Sequence, residues 1–277
     1  MKLYHPLKSA FKAILNEFSS LIINLYLFRI KKAIIIPQTG KQVISFCLFG
    51  SDNKYFGNIS ACIESYHTLF QDWIIRIYIS EDLPQEIVSK LKNYHCEIIT
   101  MEGKGIDYRY TFWRFLVLDD SKVSIALIRD IDSIASKREQ TMVNEWLNSP
   151  LVLHIIRDHP DHTDLMMGGL FDRRYDASFN VKKAMLKFKK INQLGIDQHF
   201  LKSVYEHYFP NILVHDIFKR YLHEDPIIIP HENKDTFIGE INMDHLHKQR
   251  DLNKLKQFYR STVNTANNSQ EFIQDGL

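Results

Sequence analysis

Val123-Ser-Ile-Ala-Leu-Ile-Arg-Asp-Ile-Asp-Ser133 is the stretch on which the reading of this chain turns. A short apolar run of this kind suits a buried strand, and it closes on two aspartates one residue apart. If the extended backbone persists, Asp130 and Asp132 share one side while Arg129 and Ile131 take the other. Two carboxylates on one face repel each other unless a cation sits between them. Their oxygens suit Mg²⁺ or Mn²⁺, and such ions take further ligands from substrate phosphates. The pattern therefore points to a metal-dependent enzyme acting on a nucleotide-linked donor. A strand followed by a solvated acidic turn, helped by Ser133, is the alternative.

The strand has company on both sides. Upstream, Val43 to Phe49 reads as a strand broken by Gly50 to Asn53, with a helical pattern from Tyr55 to Leu69. A strand over 73–79, a helix opened by Leu83-Pro84 and a strand over 95–101 follow. This alternation predicts an α/β fold, with right-handed crossovers building a mostly parallel central sheet flanked by helices. Ligands of such sheets bind at the carboxyl ends of the strands, so Gly50 to Lys54 and Asp130 to Asp132 are expected to face one cleft. Downstream, Lys137 to Leu147 reads as a helix with Trp146 turned inward, and 151–156 as another strand. A last charged helix is expected over 244–261.

With 277 residues, 45% of them hydrophobic and 25% charged, the chain is an ordinary globular protein with a sizeable core. A net charge of +2 gives no reason to expect nucleic acid. Cys47, Cys62 and Cys96 lack CxxC spacing and read as buried thiols of a reducing compartment. The expected organisation is a basic helical extension over 1–40, a single catalytic domain over 41–262 and a mobile polar tail over 263–277. Residues 1–40 carry six Lys or Arg against Glu17 alone, around an apolar run too short to span a bilayer. No signal-peptide layout is evident. A helix packed on the main domain and a peripheral membrane contact are both open for this segment. The expected location is the cytoplasm, or the inner face of the membrane.

Several polar groups are candidates for chemistry. Gly50 to Tyr55 is no phosphate loop, but Lys54 suits a phosphate and Tyr55 a base; a plain strand-to-helix turn is the alternative. In Tyr108 to Arg114, Arg109 or Arg114 is expected to touch the donor, beside aromatics suited to a base or sugar. Arg157-Asp158-His159-Pro-Asp-His162 fits no standard metal spacing and reads as a substrate-contacting or plain polar loop. Gly168-Gly169 permits close backbone approach to a ligand, or a tight turn. Asp197-Gln198 opens a helix, where Asp197 also suits an N-cap.

In order along the chain, Lys54-Tyr-Phe-Gly57, Phe112-Trp-Arg114, Ile128 to Ser133, Trp146, Arg157 to Pro160 with His162, Gly168-Gly169, Asp197-Gln198, His215-Asp216 and Phe237 to Glu240 form one set. Over about residues 43–240 this set resembles bacterial glycosyltransferases of capsule and lipopolysaccharide synthesis, which have the nucleotide-sugar-binding fold called GT-A. The resemblance implies a hexosyltransferase that moves a sugar from a nucleotide-sugar donor to a glycan or lipid-linked acceptor. It implies that Asp130 and Asp132 bind Mn²⁺ or Mg²⁺, with His215 as the candidate third ligand. Asp197 and Gln198 would approach the donor sugar, Asp197 as base or as stabiliser of oxocarbenium-like charge. The implied donor-facing set is Phe49, Gly50, Lys54, Tyr55, Arg109, Trp113, Arg114, Arg129, Gly168 and Gly169. Arg157, Asp158, His159 and His162 would bind acceptor or phosphate. A phosphohydrolase of the haloacid dehalogenase type, with the first aspartate as nucleophile, is the alternative, and a non-catalytic scaffold is another.

Overall fold

A computed structural model describes residues 25–50, 53–231, 235–241 and 248–260, without the side chains of 53–55. Most of the expected N-terminal extension and all of the expected tail lie outside these residues. One eight-stranded sheet organises the chain. Its strands are β1 (Ile30–Ile34), β2 (Lys41–Leu48), β3 (Ile74–Ser80), β4 (Cys96–Met101), β5 (Val123–Arg129), β6 (Leu153–Arg157), β7 (Leu170–Arg174) and β8 (Ile212–Asp216). They lie in the order β1-β4-β3-β2-β5-β7-β6-β8. β4, β3, β2 and β5 are mutually parallel, as are β6 and β8, while β7 runs antiparallel between β5 and β6. β1 adds an antiparallel edge against β4.

The parallel strands are rich in apolar residues because both faces are covered, with Ser45, Arg76 and Glu97 buried among them. On one face, Ile44, Phe46 and Leu48 of β2 meet Ile59, Cys62, Ile63 and Tyr66 of α1 (Asn53–Leu69), with Leu91 of α2 (Gln85–Lys92) and Trp146 of α3 (Lys137–Leu147). The spacing of those α1 residues is that of one helical stripe. On the other face, Val43 and Cys47 meet Phe112, Trp113 and Phe115 of a 3-10 helix (Tyr108–Asp119). Val181 and Met185 of α4 (Val181–Lys187) and Phe200, Leu201 and Val204 of α5 (Ile196–Tyr208) close that layer. The result is a mostly parallel sheet between helical layers, a GT-A-like topology. A final helix, α6, runs over 248–260.

Two expectations are corrected. Residues 30–34, read as part of a helical extension, are an edge strand whose side chains are all exposed. The backbone also leaves β5 at Arg129, and the Ser133 N–H donates to the Asp130 carbonyl at 3.2 Å. Asp130 to Ser133 is therefore a turn, not extended chain, and strand alternation does not set where the two carboxylates point. Cys47, Cys62 and Cys96 are buried free thiols, as expected.

Candidate functional site

At the carboxyl end of β5, Arg114 links two carboxylates that lie far apart in the chain. Its Nη1 donates to Asp130 Oδ1, and its Nη2 to Asp197 Oδ2 at 2.7 Å. Arg114 reaches this point from the 3-10 helix, whose backbone is held on β2 by the Ser45 hydroxyl donating to the Arg114 carbonyl at 2.8 Å. Asp197 stands in the first turn of α5, where the N–H dipoles favour a carboxylate. It does not cap that helix, because the N-cap is Gly195 in a left-handed conformation.

Exposure separates the members of this bridge. The Arg114 and Asp197 side chains are about 4–5% exposed, whereas that of Asp130 is 49% exposed. Asp130 is thus the solvent-facing end of a buried ion pair. Gly168 and Gly169 form the wall. A Cβ on Gly168 would lie 2.5 Å from Asp197 Oδ2 and 2.8 Å from Arg114 Nη2, and one on Gly169 would lie 2.5 Å from the Asp130 carboxyl carbon. Only bare backbone fits there.

The electrostatics agree with this grouping. Burial pushes the Cys47 thiol up to about 12; Arg114 pulls it back while Asp130, Asp197 and Asp132 push it further. Asp132, two residues after Asp130 in the same turn, is itself buried. Burial alone would lower the Arg114 pKa, but Asp130, Cys47 and Asp197 together hold it above its ordinary value. Arg114 Nε is shielded from solvent and has no hydrogen-bond partner among the described residues, and the same holds for Oε1 of Gln198, the residue after Asp197.

The remaining expected donor contacts divide. Phe49 and Gly50 follow β2, the parallel neighbour of β5, and Gly50 has φ +83° with the Ile106 side chain over it. Arg109 is bound to Asp107 by both carboxylate oxygens and does not reach the bridge. Trp113 is core: its ring is stacked with Tyr110 and its Nε1–H donates to the Leu27 carbonyl at 2.7 Å. Lys54 and Tyr55 lie outside the residues whose side chains are described.

Arg129 and His215 belong to a different network. Tyr66 donates to Glu139 (3.2 Å), and Arg129 bridges Glu139 (2.6 Å) and Asp172 (2.7 Å). Asp172 meets His154 Nδ1 (2.6 Å), and His154 Nε2 meets His215 Nδ1 (2.8 Å). His215 Nε2 then faces Glu145 at 3.1 Å. Both ring nitrogens of His215 are engaged by protein groups, and among the described residues no cluster of three or more His, Cys, Asp or Glu side chains includes it. Burial, then His154, lowers its pKa to about 4.

The cluster expected to bind acceptor or phosphate also faces inward. Arg157 pairs with Asp216 (3.0 Å) and Glu224 (2.7 Å). Asp158 is held by Arg138 (2.6 Å) and the Ile238 N–H (2.9 Å). His159 Nε2 contacts the Asp251 carbonyl of α6 (2.9 Å), and His162 Nδ1 accepts from the Asp158 N–H (3.1 Å). These groups fasten the C-terminal segments to β6. Ser45 is the supporting residue that sequence reading passed over; a hydroxyl inside the apolar run Val43 to Phe49 was its signal.

No family model and no curated protein matches this chain. Among solved structures, it is similar to S. aureus TarS 1-349 at 13% identity and a TM-score of 0.43, over 63% of this chain and 57% of that one. It thus spans little more than half of that chain. A mannosyltransferase from Pyrobaculum calidifontis in complex with GDP-Man and Mn²⁺ is similar at 11% identity and a TM-score of 0.42, over 76% of this chain and 68% of that one. The 4-diphosphocytidyl-2C-methyl-D-erythritol synthase of Anaerococcus prevotii gives 13% identity and 0.43, over 80% and 97%. Likeness at this level says nothing about chemistry.

Proposed function

We propose that this chain is a metal-assisted glycosyltransferase that moves a sugar from a nucleotide-sugar donor to a glycan or lipid-linked acceptor. What supports this reading is the bridge itself: one guanidinium holding Asp130 and Asp197 against two glycine backbones, with its own Nε left without a partner. A buried polar atom without a partner costs about 1–3 kcal/mol, which a ligand hydroxyl or phosphate oxygen would recover.

Carboxylate oxygens such as those of Asp130 and Asp132 suit a hard divalent ion. Mg²⁺ and Mn²⁺ keep waters and accept one or two carboxylates plus substrate phosphates. Asp130, half in solvent, and Asp132 would hold such an ion. Among the described residues no cluster of three or more acidic, His or Cys ligands stands ready, so the other ligands fall to the donor. When bound, the ion supplies Lewis-acid stabilisation of the departing diphosphate. Arg114 fixes Asp130, whose side chain is half exposed, and holds the buried Asp197 carboxylate in place through its second nitrogen. Asp197 would then serve the donor sugar as base or charge stabiliser, with Gln198 Oε1 accepting from a sugar hydroxyl. Gly168 and Gly169 let the donor approach the backbone.

The test is thermal stability against a panel of nucleoside diphosphates and nucleotide sugars, with and without Mn²⁺. One nucleotide at about a hundredfold its Kd should add about 2.7 kcal/mol, only with metal present. Asp130→Asn and Asp132→Asn should each remove that gain and the release of nucleoside diphosphate. No stabilisation by any nucleotide defeats the proposal, and an aspartyl-phosphate trapped at Asp130 would replace it with the phosphohydrolase reading.

A further inference from the structure

We infer that the surface made by α4, the loop 188–195 and the loop 103–108 docks on an anionic lipid bilayer. Residues 181–195 contain five lysines and no Asp or Glu. Lys182, Lys183, Lys187 and Lys189 are exposed, and none of them takes part in an ion pair among the described residues. Lys190 is different. It is buried, donates to the Met185 and Phe188 carbonyls, and lies over the Phe28 and Phe112 rings. This anchor holds the loop to the core while Lys189 and Ile191, on either side of it, face solvent.

Large apolar side chains stand beside the lysines. Ile191 and Leu194 are 47% and 74% exposed, and Ile106 and Tyr108 of the facing loop are 61% and 38% exposed. The two loops are one surface, because the Tyr108 N–H donates to Asn192 Oδ1 at 2.9 Å. Acids bordering it are engaged: Asp107 by Arg109, Asp82 by the Gly105 N–H, and Glu81 and Glu102 by Lys31 and Arg29. Apolar tips that enter the headgroup boundary, flanked by lysines that reach lipid phosphates, are the two contacts an anionic bilayer rewards. Charge argues against a second copy of this chain, since the lysine row would face its own kind.

The surface also leads directly into the elements that carry the bridge and the end of β2. Leu194 precedes Asp197 by three residues, and Ile106 lies over Gly50. On the transfer reading, docking would bring a lipid-borne acceptor near the start of α5, which carries Asp197. That consequence depends on the proposed activity; the lipid contact does not.

Co-sedimentation of the full chain with vesicles tests it. The protein should pellet with phosphatidylcholine vesicles that also carry phosphatidylglycerol, and less so as salt rises, but not with phosphatidylcholine alone. One lysine near such a surface is worth about fivefold in affinity, so Lys187→Glu with Lys189→Glu should cost about thirtyfold or more. Ile191→Ser with Leu194→Ser should weaken binding at low salt as well. Leu194→Asp is a milder substitute should that pair lower Tm. Lys90→Glu with Lys92→Glu, exposed on the opposite helical layer, should bind as the native chain does. Failure of the native chain to bind anionic vesicles overturns the inference. So does native binding by both the Lys187/Lys189 and the Ile191/Leu194 variants, which would move the contact to another part of the chain. A pellet formed without vesicles marks self-association and overturns it too.

Discussion

Arg114 serves two carboxylates of unequal standing. Asp130 can be rehydrated if it loses its partner, whereas buried Asp197 cannot. Removing a cation from a buried pair strands the remaining charge, typically at about 3–5 kcal/mol. Arg114→Ala should therefore lower the urea midpoint strongly, and adding Asp197→Asn should recover most of the loss. Arg114→Lys keeps the charge but not the fork, so it should retain more stability while losing nucleotide-dependent stabilisation. Urea titration and thermal shift, run on the same variants, separate the two effects. Each member of this bridge was visible in the sequence as a candidate. What was not legible was their union, because 83 positions separate Arg114 from Asp197 and a local spacing carries no trace of it.

Among the elements, legibility followed burial. β2 to β6 announced themselves as runs rich in apolar residues, because most of their side chains pack into the layers on either side. β7 did not, since Leu170-Phe-Asp-Arg-Arg174 brings Asp172 and Arg173 into the interior. A sequence reader takes such residues for a surface; here Asp172 is matched by Arg129 and His154. β1 was hidden for the opposite reason, as an exposed edge with no apolar face to reveal it. A second buried set ties the amino ends of three strands. Glu97 of β4 accepts from Lys41 of β2 and Arg76 of β3, both at 2.5 Å, and Arg76 also reaches Asp120. Glu97→Ala leaves Lys41 without a carboxylate, and we expect about 3–5 kcal/mol of lost stability in urea. Glu97→Gln should lose less, since it keeps one acceptor. Equal losses in the two variants would count against a charge effect.

For the whole molecule, the half of the sheet beyond β5 is held by buried histidines, and this gives it an acid limit. Burial, then His159, lowers the His162 pKa to about 3, and His215 sits at about 4. Both lie below the unfolded value near 6.5, so the unfolded chain takes up protons first. Their contribution is complete above about pH 6.5 and is lost as pH falls toward the folded values. Tm should accordingly drop between pH 6.5 and 4. His162→Gln should flatten the profile relative to the native chain. The strand order has a further consequence for synthesis on the ribosome. β7 comes after β6 in the chain yet sits between β5 and β6 in the sheet, so β6 has no berth until residue 174 has emerged. Until then β5 presents an open apolar border, a template for pairing with neighbouring nascent chains. A message truncated between β5 and β7 would thus yield a sticky product, and vectorial translation leaves this chain most vulnerable in the interval before its seventh strand arrives.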